Sequence, residues 1–337
     1  MQTNNIYNQL KQLCNNTQDG SDTTNNPLQM VLDTLCSKQN IRYSTGYKNI
    51  DSLLKGGLAP ERLYILGGAT GMGKSTLALQ IAYNISIRYK QDVLFIALEM
   101  SEYQVYLKLL SMISKSIAER CINSGSTGLT LEQIENIEDW GSLDPDTGDL
   151  LIRAAAEMQS NTNLYIKSSI ERTTPEDVKR MIEKHMSERG NAPILFIDYL
   201  HNIKSAKQTA TDKQVIDEAV DMLKALSLRH KIPVFAMSSL NRNAYGAPDL
   251  AAVKGSGEIE YTASTVLLMT NPEVEKKNGP TDINKKPSSR SARSSASVRT
   301  VQLTAVKNRY GPRDVSALLK FSEEYSYFSD IYAINNR

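Results

Sequence analysis

The stretch from Tyr64 to Gln80 constrains the fold of this chain more than any other part of the sequence. Three apolar residues at 64–66 predict a buried strand, and a segment with apolar residues at helical spacing begins shortly after them. Between the two, residues 68–75 read GATGMGKS and match the pattern G-x-x-x-x-G-K-[ST]. In this strand-turn-helix context, the pattern is typical of a phosphate-binding loop.

The residue types of this loop suit a nucleoside triphosphate, although a glycine turn that only caps a helix is the alternative. The glycines let the loop point backbone N–H groups at phosphate oxygens, and the helix adds the positive end of its dipole. Lys74 offers a positive charge to the β- and γ-phosphates, and Ser75 offers a hydroxyl to Mg²⁺. We therefore expect ATP and Mg²⁺ here, with the nucleotide bound by Gly68, Gly71, Gly73, Lys74, Ser75 and Thr76.

Length and composition indicate a globular protein. A chain of 337 residues can form a full α/β core, and its 40% hydrophobic and 23% charged residues are ordinary values. No apolar run approaches the roughly 18 residues of a membrane span, and no secretion signal begins the chain, so we predict a cytoplasmic protein. The three cysteines are odd in number and widely spaced, which supports neither disulfides nor a zinc site. The net charge of +2 does not by itself indicate a nucleic-acid partner.

Two segments have compositions that predict weak order. Residues 1–40 are rich in Asn, Gln and Thr and form a polar tail, in which apolar residues at helical spacing predict a short linker helix over about 28–36. That helix packs either on its own chain or on a neighbouring subunit. Residues 271–297 predict a flexible basic insertion, and the basic residues continue to Arg299. The insertion is either a solvated hairpin tip or an arm that contacts phosphates.

Strand and helix patterns alternate along the rest of the chain. Apolar runs end at Glu99, at Asp198 and at Ser238, and the carboxyl ends of parallel strands meet at one sheet edge. We therefore expect these side chains to converge with the phosphate loop. Residues 301–306 and 315–321 predict a closing β-hairpin. The predicted fold class is α/β, a doubly wound and mainly parallel sheet with a C-terminal β-hairpin.

Several ordered motifs between residues 41 and 328 resemble one known family. They read STGYKNIDSLLKGGL, GGATGMGKST, FIALEMSEYQ, LFIDYLHNI, VFAMSSLNRNAYG, KGSGEIEYTAS and AVKNRYGPRD. The chain resembles the C-terminal motor domain of DnaB-like replicative helicases, a branch of the RecA-like P-loop ATPases. The resemblance implies a motor domain at 41–330 and a homo-oligomeric ring, usually a hexamer, that hydrolyses ATP at subunit interfaces while it moves on single-stranded DNA during replication. A loader or replication-initiator protein is a further partner that it suggests.

The resemblance also implies residue roles. Glu99 would activate the attacking water and Asp198 would support Mg²⁺. Lys307 and Arg309 would reach the γ-phosphate bound by the neighbouring subunit, whereas without the family pattern Arg309 would be interpreted as an exposed turn cation. The loops that face the ring channel contain the DNA-binding candidates Lys204, Lys207, Arg242 and Lys254, each of which is otherwise an ordinary surface cation.

Two departures from the family bear on function. Ser239, expected at the nucleotide, and His201 stand where the family has glutamines, and the serine is too short to span the same distance to a γ-phosphate. The forty residues before the motor domain are too few for the family's N-terminal collar, which is typical of a mobile-element or phage helicase. The alternative function is a RecA-like ATPase that acts as a nucleotide-controlled switch or assembly platform, such as a recombination mediator, helicase regulator or defence component. A nucleotide-binding scaffold without turnover is a second alternative, but it gives Glu99 and Arg309 no role.

Overall fold

The computed structural model describes most of the chain from residue 41 onward. The described residues are 41–121, 127–139, 141, 143–169, 173–204, 211–240, 249–253, 256–272 and 298–331. The chain divides into two compact units, Met1–Arg42 and Tyr43–Arg337, and the elements below belong to the second. The predicted tail with its linker helix, and the predicted basic insertion beyond residue 272, lie outside the described residues.

A nine-stranded sheet forms the centre of the described part of the chain. Its strands are β1 Leu63–Gly68, β2 Val93–Ala97, β3 Leu164–Ser168, β4 Ile194–Asp198, β5 Val234–Ser239, β6 Thr265–Thr270, β7 Val298–Asn308, β8 Ser316–Ser322 and β9 Tyr327–Asp330. They lie in the order β3-β2-β4-β5-β1-β6-β7-β8-β9. Strands β3 to β6 in that order pair in parallel, and β7, β8 and β9 add antiparallel pairs. The prediction of a mainly parallel α/β sheet is confirmed.

Helices connect the strands. They are α1 Lys48–Leu53, α2 Lys74–Tyr89, α3 Glu102–Arg120, α4 Leu131–Glu135, α5 Pro145–Ser160, α6 Pro175–Arg189, α7 Asp212–Arg229 and α8 Ser256–Thr262, with 3₁₀ turns at Leu200–Asn202, Leu250–Ala252 and Glu323–Tyr325. Within the described ranges, no helix combines the length and the apolar character needed to cross a lipid bilayer.

Hydrophobic cores lie on both faces of the sheet. Successive side chains of a strand point to opposite faces, so Tyr64 and Leu66 of β1 join the core that contains residues of α2 and α3. Leu63 and Ile65 join the other core, which contains residues of α6 and α7. Both faces of β1 are thus buried, which explains why its sequence is a continuous apolar run.

Side-chain caps fix where several helices begin. In α3, the Ser101 hydroxyl accepts a hydrogen bond from the backbone N–H of Gln104 at 3.3 Å, and the Gln104 side chain accepts one from the Ser101 N–H. Thr174 and Thr211 cap α6 and α7 in the same way. Because α3 cannot begin before its cap, the residues just after β2 form a short connection at the sheet edge.

The antiparallel end of the sheet is more extensive than the predicted hairpin. Strand β7 begins at Val298, so Arg299 lies in a strand, and the prediction that groups it with the flexible basic stretch is wrong for this residue. A further strand, β9, lies against β8, where the rings of Phe321 and Phe328 stack with centroids 4.3 Å apart. Helix α8 is also unpredicted, since its sequence follows a glycine-containing polar stretch and has little apolar periodicity.

A buried polar cluster holds the residue that precedes β2. Asp92 is 2% exposed, and its carboxylate accepts a hydrogen bond from Asn163 at 2.8 Å. The same carboxylate lies 3.1 Å from Nε2 of the buried His185 and 3.4 Å from Nε of Arg189. Its removal would leave buried polar groups without an acceptor. We therefore expect Asp92→Ala to lower the free energy of unfolding by about 3 kcal/mol, measured by urea denaturation.

Helix α6 offers a matched control for this prediction. Glu188 lies on the same helix as His185, and its carboxylate makes an exposed pair with Lys184 at 3.8 Å. Exposed pairs contribute little to stability, so Glu188→Ala should leave the denaturation midpoint almost unchanged. Similar losses in the two variants would show that the buried cluster has no special role.

Candidate active site

A cavity of about 410 Å³ opens at the carboxyl edge of the parallel strands. Its lining residues are Thr70, Gly71, Gly73, Lys74, Ser75, Thr76, Glu99, Lys108, Leu131, Asp198, Tyr199, Ser239, Phe321, Glu323 and Ser326. Glu99 lies just after β2, and Asp198 and Ser239 end β4 and β5. The ends of β2 and β4 are tied by the Leu98 N–H, which donates to the Asp198 carbonyl at 2.6 Å. The structure therefore brings together the loop and both carboxylates, with Ser239 rather than Ser238 at the cavity.

The loop between β1 and α2 forms one wall of the cavity. Gly71 and Gly73 have φ angles of 78° and 89°, in the left-handed region that glycine tolerates best. The Lys74 ammonium donates hydrogen bonds to the carbonyls of Gly68 at 2.8 Å and Ala69 at 3.0 Å. Gly68 thus contributes through its carbonyl, which holds the Lys74 side chain back over the loop.

The C-terminal strands support this loop from outside the cavity. A Cβ at Gly73 would lie 2.8 Å from Phe328 Cζ and 3.0 Å from Phe321 Cε1. Arg299 of β7 donates a hydrogen bond to the Gly71 carbonyl, and its guanidinium carbon lies 5.0 Å from the centroid of the Phe321 ring. The antiparallel strands therefore help to set the position of the phosphate loop.

The ring contact predicts the effect of a methyl group. We expect Gly73→Ala to lower the free energy of unfolding by about 3 kcal/mol, because its Cβ would strain a left-handed backbone and overlap two aromatic rings. Gly71→Ala is the matched control, since Gly71 has a similar φ and a Cβ there would meet nothing within 4 Å. Backbone strain alone costs about 1 kcal/mol, so urea denaturation should separate the two variants. Equal losses would contradict a supporting role for the rings.

Asp198 has the electrostatic character of a cation ligand. It is 2% exposed, and burial raises the pKa of its carboxyl to about 6. The charge of Glu99 also raises that pKa, while a hydrogen bond with Ser75 and the charge of Lys74 oppose the rise. Its Oδ2 atom is buried and has no hydrogen-bond partner among the described residues. A buried carboxylate oxygen without a partner, beside a serine hydroxyl, fits a hard divalent cation such as Mg²⁺.

Sequence reasoning missed several residues of the cavity. They are Thr70, Lys108, Leu131, Tyr199, Phe321, Glu323 and Ser326. Phe321, Glu323 and Ser326 come from β8 and the turn that follows it, more than two hundred residues after the loop, so no local pattern connects them with it. Lys108 did leave a signal, because it is the one charged residue between Val105 and Ile113 on an otherwise apolar helix.

Lys307 and Arg309 lie outside the cavity of their own chain. Both side chains donate hydrogen bonds to the Tyr261 carbonyl, and Lys307 also donates one to the Glu260 carbonyl. These carbonyls belong to the last turn of α8, where the helix dipole favours cations. Burial lowers the pKa of Lys307 to about 8, and the charge of Arg309 lowers it further.

The DNA-binding candidates are described only in part. Lys204 is exposed and follows the 3₁₀ turn after β4, and its ammonium donates to the His201 carbonyl at 3.4 Å. Lys207, Arg242 and Lys254 lie outside the described residues. The His201 ring lies 5.7 Å from that of Tyr199, which lines the cavity.

Comparison with known sequences adds to this geometry. The family model for the DnaB-like helicase C terminal domain matches residues 43–330. The replicative DNA helicase DnaB of Buchnera aphidicola subsp. Baizongia pistaciae is 29% identical over 235 residues, which are 68% of this chain and 47% of that protein. The corresponding helicase of Leifsonia xyli subsp. xyli is 26% identical over 294 residues, which are 86% of this chain and 56% of that protein. The chain thus spans about half the length of these curated relatives.

Two solved structures share the fold. One is an isolated ATPase domain, which has a TM-score of 0.72 at 21% identity, over 94% of this chain and 100% of that domain. The other is a DnaB-like replicative helicase, solved with its interactions with primase, which has a TM-score of 0.70 at 21% identity, over 92% of this chain and 68% of its own. The predicted RecA-like fold and the predicted resemblance are both confirmed. On the match across residues 43–330, the chain belongs to the family of DnaB-like helicase C-terminal domains.

Proposed function

We propose that this chain is the ATP-hydrolysing motor of a ring-shaped, ATP-dependent DNA helicase that moves on single-stranded DNA during replication. The observation that carries the proposal is the convergence of the phosphate loop, Glu99 and Asp198 on one cavity. The relatives that the chain matches are replicative DNA helicases, which supports the same activity. We place the motor at residues 41–330, after a polar tail at 1–40, in a cytoplasmic protein that a loader or initiator protein delivers to DNA.

The cavity fits ATP and Mg²⁺. Loop residues 68–76, with Ser239 opposite them, would hold the nucleotide, and Ser75 and Asp198 would hold the cation. When bound, Mg²⁺ neutralises charge on the phosphates. Glu99 is exposed to the cavity, so its carboxylate can orient a water molecule and accept its proton.

Hydrolysis would be completed by the neighbouring subunit. Lys307 and Arg309 do not line the cavity of their own chain, yet an arginine that neutralises the transferring phosphoryl group is a recurring part of such sites. We infer that both residues serve the cavity of an adjacent copy in a ring, which the family resemblance gives as a hexamer. Turnover would then depend on assembly, and each hydrolysis event would be coupled to subunit movement.

Single-stranded DNA would be gripped through its phosphates. Lys204, Lys207, Arg242 and Lys254 are the candidates for this contact, and the exposed position of Lys204 is compatible with it. Ammonium and guanidinium contacts to phosphates carry no sequence information and weaken as salt rises. Binding should therefore be independent of sequence and strongly salt-dependent.

The proposed activity can be tested by strand displacement. A forked duplex with one labelled strand is incubated with the purified chain and either ATP or β,γ-imido-ATP, with Lys74→Ala as the blank. We expect release of the labelled strand with ATP only, and none from the blank. ATP-dependent assembly without strand release would instead support the nucleotide-controlled switch or platform, which Ser239 favours because its hydroxyl is shorter than the family's glutamine amide.

A further inference from the structure

We propose that Lys108 binds the terminal phosphate of a nucleoside triphosphate in this cavity, and that it thereby distinguishes the triphosphate from the diphosphate. Lys108 lines the same cavity as Lys74, Glu99 and Asp198, although it belongs to neither the phosphate loop nor a strand end. The inference rests on the proposed nucleotide site and adds a second cation to it.

The packing of α3 fixes where Lys108 lies. Its neighbours Leu107 and Leu109 are 7% and 0% exposed, so the helix is anchored in the core on both sides of the lysine. The cap at Ser101 sets the beginning of α3 directly after Glu99, which places this helix at the catalytic edge of the sheet. The lysine side chain thus leaves a rigid helix and enters the cavity.

The Lys108 ammonium has no hydrogen bond or ion pair with any residue that the structure describes. Lys74, by contrast, is held by two carbonyls, and Lys115 on α3 pairs with Glu119 at 3.7 Å. Burial lowers the pKa of Lys108, while the charge of Asp198 opposes this shift. A partly desolvated ammonium without a hydrogen-bond acceptor is unfavourable by itself and gains most from an incoming anion.

The charges of the cavity indicate which part of the ligand Lys108 meets. Three carboxylates line the cavity, those of Glu99, Asp198 and Glu323, and a magnesium-bound triphosphate would add further negative charge. All three carboxylates attract Lys108, and Asp198 attracts it most strongly. The ammonium therefore faces the carboxylates to which we assign the metal and the attacking water. In that position, a cation offsets the repulsion between these acids and a terminal phosphate.

Equilibrium binding to two nucleotides tests this assignment. The purified chain is titrated with fluorescent β,γ-imido-ATP and with fluorescent ADP, both in Mg²⁺, so that no turnover is involved. We expect Lys108→Gln to weaken binding of the triphosphate analogue about tenfold or more and binding of ADP by less than about threefold. Lys108→Arg should retain the preference of the wild-type chain, because it keeps a positive charge.

Lys115→Gln is the matched control. Lys115 lies about two turns further along α3, and its ammonium sits 4.9 Å from the centroid of the Tyr325 ring, outside the cavity. It should change neither affinity. If Lys108→Gln lowers the melting temperature, Lys108→Met, which keeps the aliphatic length, replaces it in the titration.

The outcomes separate this inference from the function on which it rests. Equal weakening of both nucleotides by Lys108→Gln, no weakening of either, or a loss in Lys108→Arg as large as in Lys108→Gln would overturn the role of Lys108. A wild-type chain that binds neither nucleotide would overturn the nucleotide site itself, and the inference with it. Binding of both by the wild type, abolished in Lys74→Ala, leaves the site standing whatever Lys108 does.

Discussion

Arg309→Ala is expected to lower ATP turnover by about a thousandfold or more, because an arginine supplied by a neighbouring subunit accounts for 10³–10⁵ of the rate in comparable phosphoryl-transfer sites. Nucleotide binding should remain, since the Arg309 side chain is docked on the Tyr261 carbonyl and lies outside the cavity of its own chain. Steady-state turnover and size-exclusion chromatography measure the two properties separately. Arg313→Ala, an exposed cation in the same turn, is the matched control and should retain activity.

Mixing two inactive variants tests whether Arg309 acts between subunits. In a mixed ring, a chain that carries Arg309→Ala still has an intact phosphate loop, and a chain that carries Lys74→Ala still has its arginine. An interface built from these two intact parts is complete, so we expect the mixture to recover a substantial fraction of the wild-type rate. Full activity of Arg309→Ala alone, or a mixture that is no more active than its components, would rule out the assignment in trans.

Glu99→Gln is expected to lower turnover by roughly 10²- to 10⁴-fold, the range typical of a lost general base, while ATP binding is retained. The amide has the shape of the carboxylate but cannot accept a proton from the attacking water. A single-turnover measurement with ATP at saturation isolates this step from binding. Glu102→Gln is the control, because Glu102 only accepts a hydrogen bond from the Ser168 N–H at 3.2 Å, which a glutamine oxygen can also accept. Unchanged turnover in Glu99→Gln would remove Glu99 from the role of base.

Much of the fold and half of the site follow from local sequence patterns. The strand, glycine turn and helix around Lys74 are contiguous, so their spacing alone predicts a phosphate loop. Glu99 and Asp198 are a hundred residues apart in sequence, yet both end buried apolar runs, and the geometry of parallel strands brings such ends together. These inferences need only the periodicity of the chain and the pairing rule of a parallel sheet.

The remaining parts of the site depend on packing between distant segments. Arg299 reaches Gly71 across 228 residues, and the rings of Phe321 and Phe328 limit the space at Gly73. Nothing in the local sequence of β7 to β9 indicates such contacts, because a strand pattern shows which side chains are buried but not what they touch. Lys108 is a similar case, since its position in the cavity depends on how α3 packs after the capped turn.

Steady-state ATP turnover with and without single-stranded DNA tests the central claim most directly. The purified chain is assayed at low and high salt, with Lys74→Ala as the blank. A DNA-driven motor predicts strong stimulation by single-stranded DNA that weakens as salt rises and that the blank lacks. Turnover that is indifferent to DNA would contradict the proposal that this chain moves along single-stranded DNA.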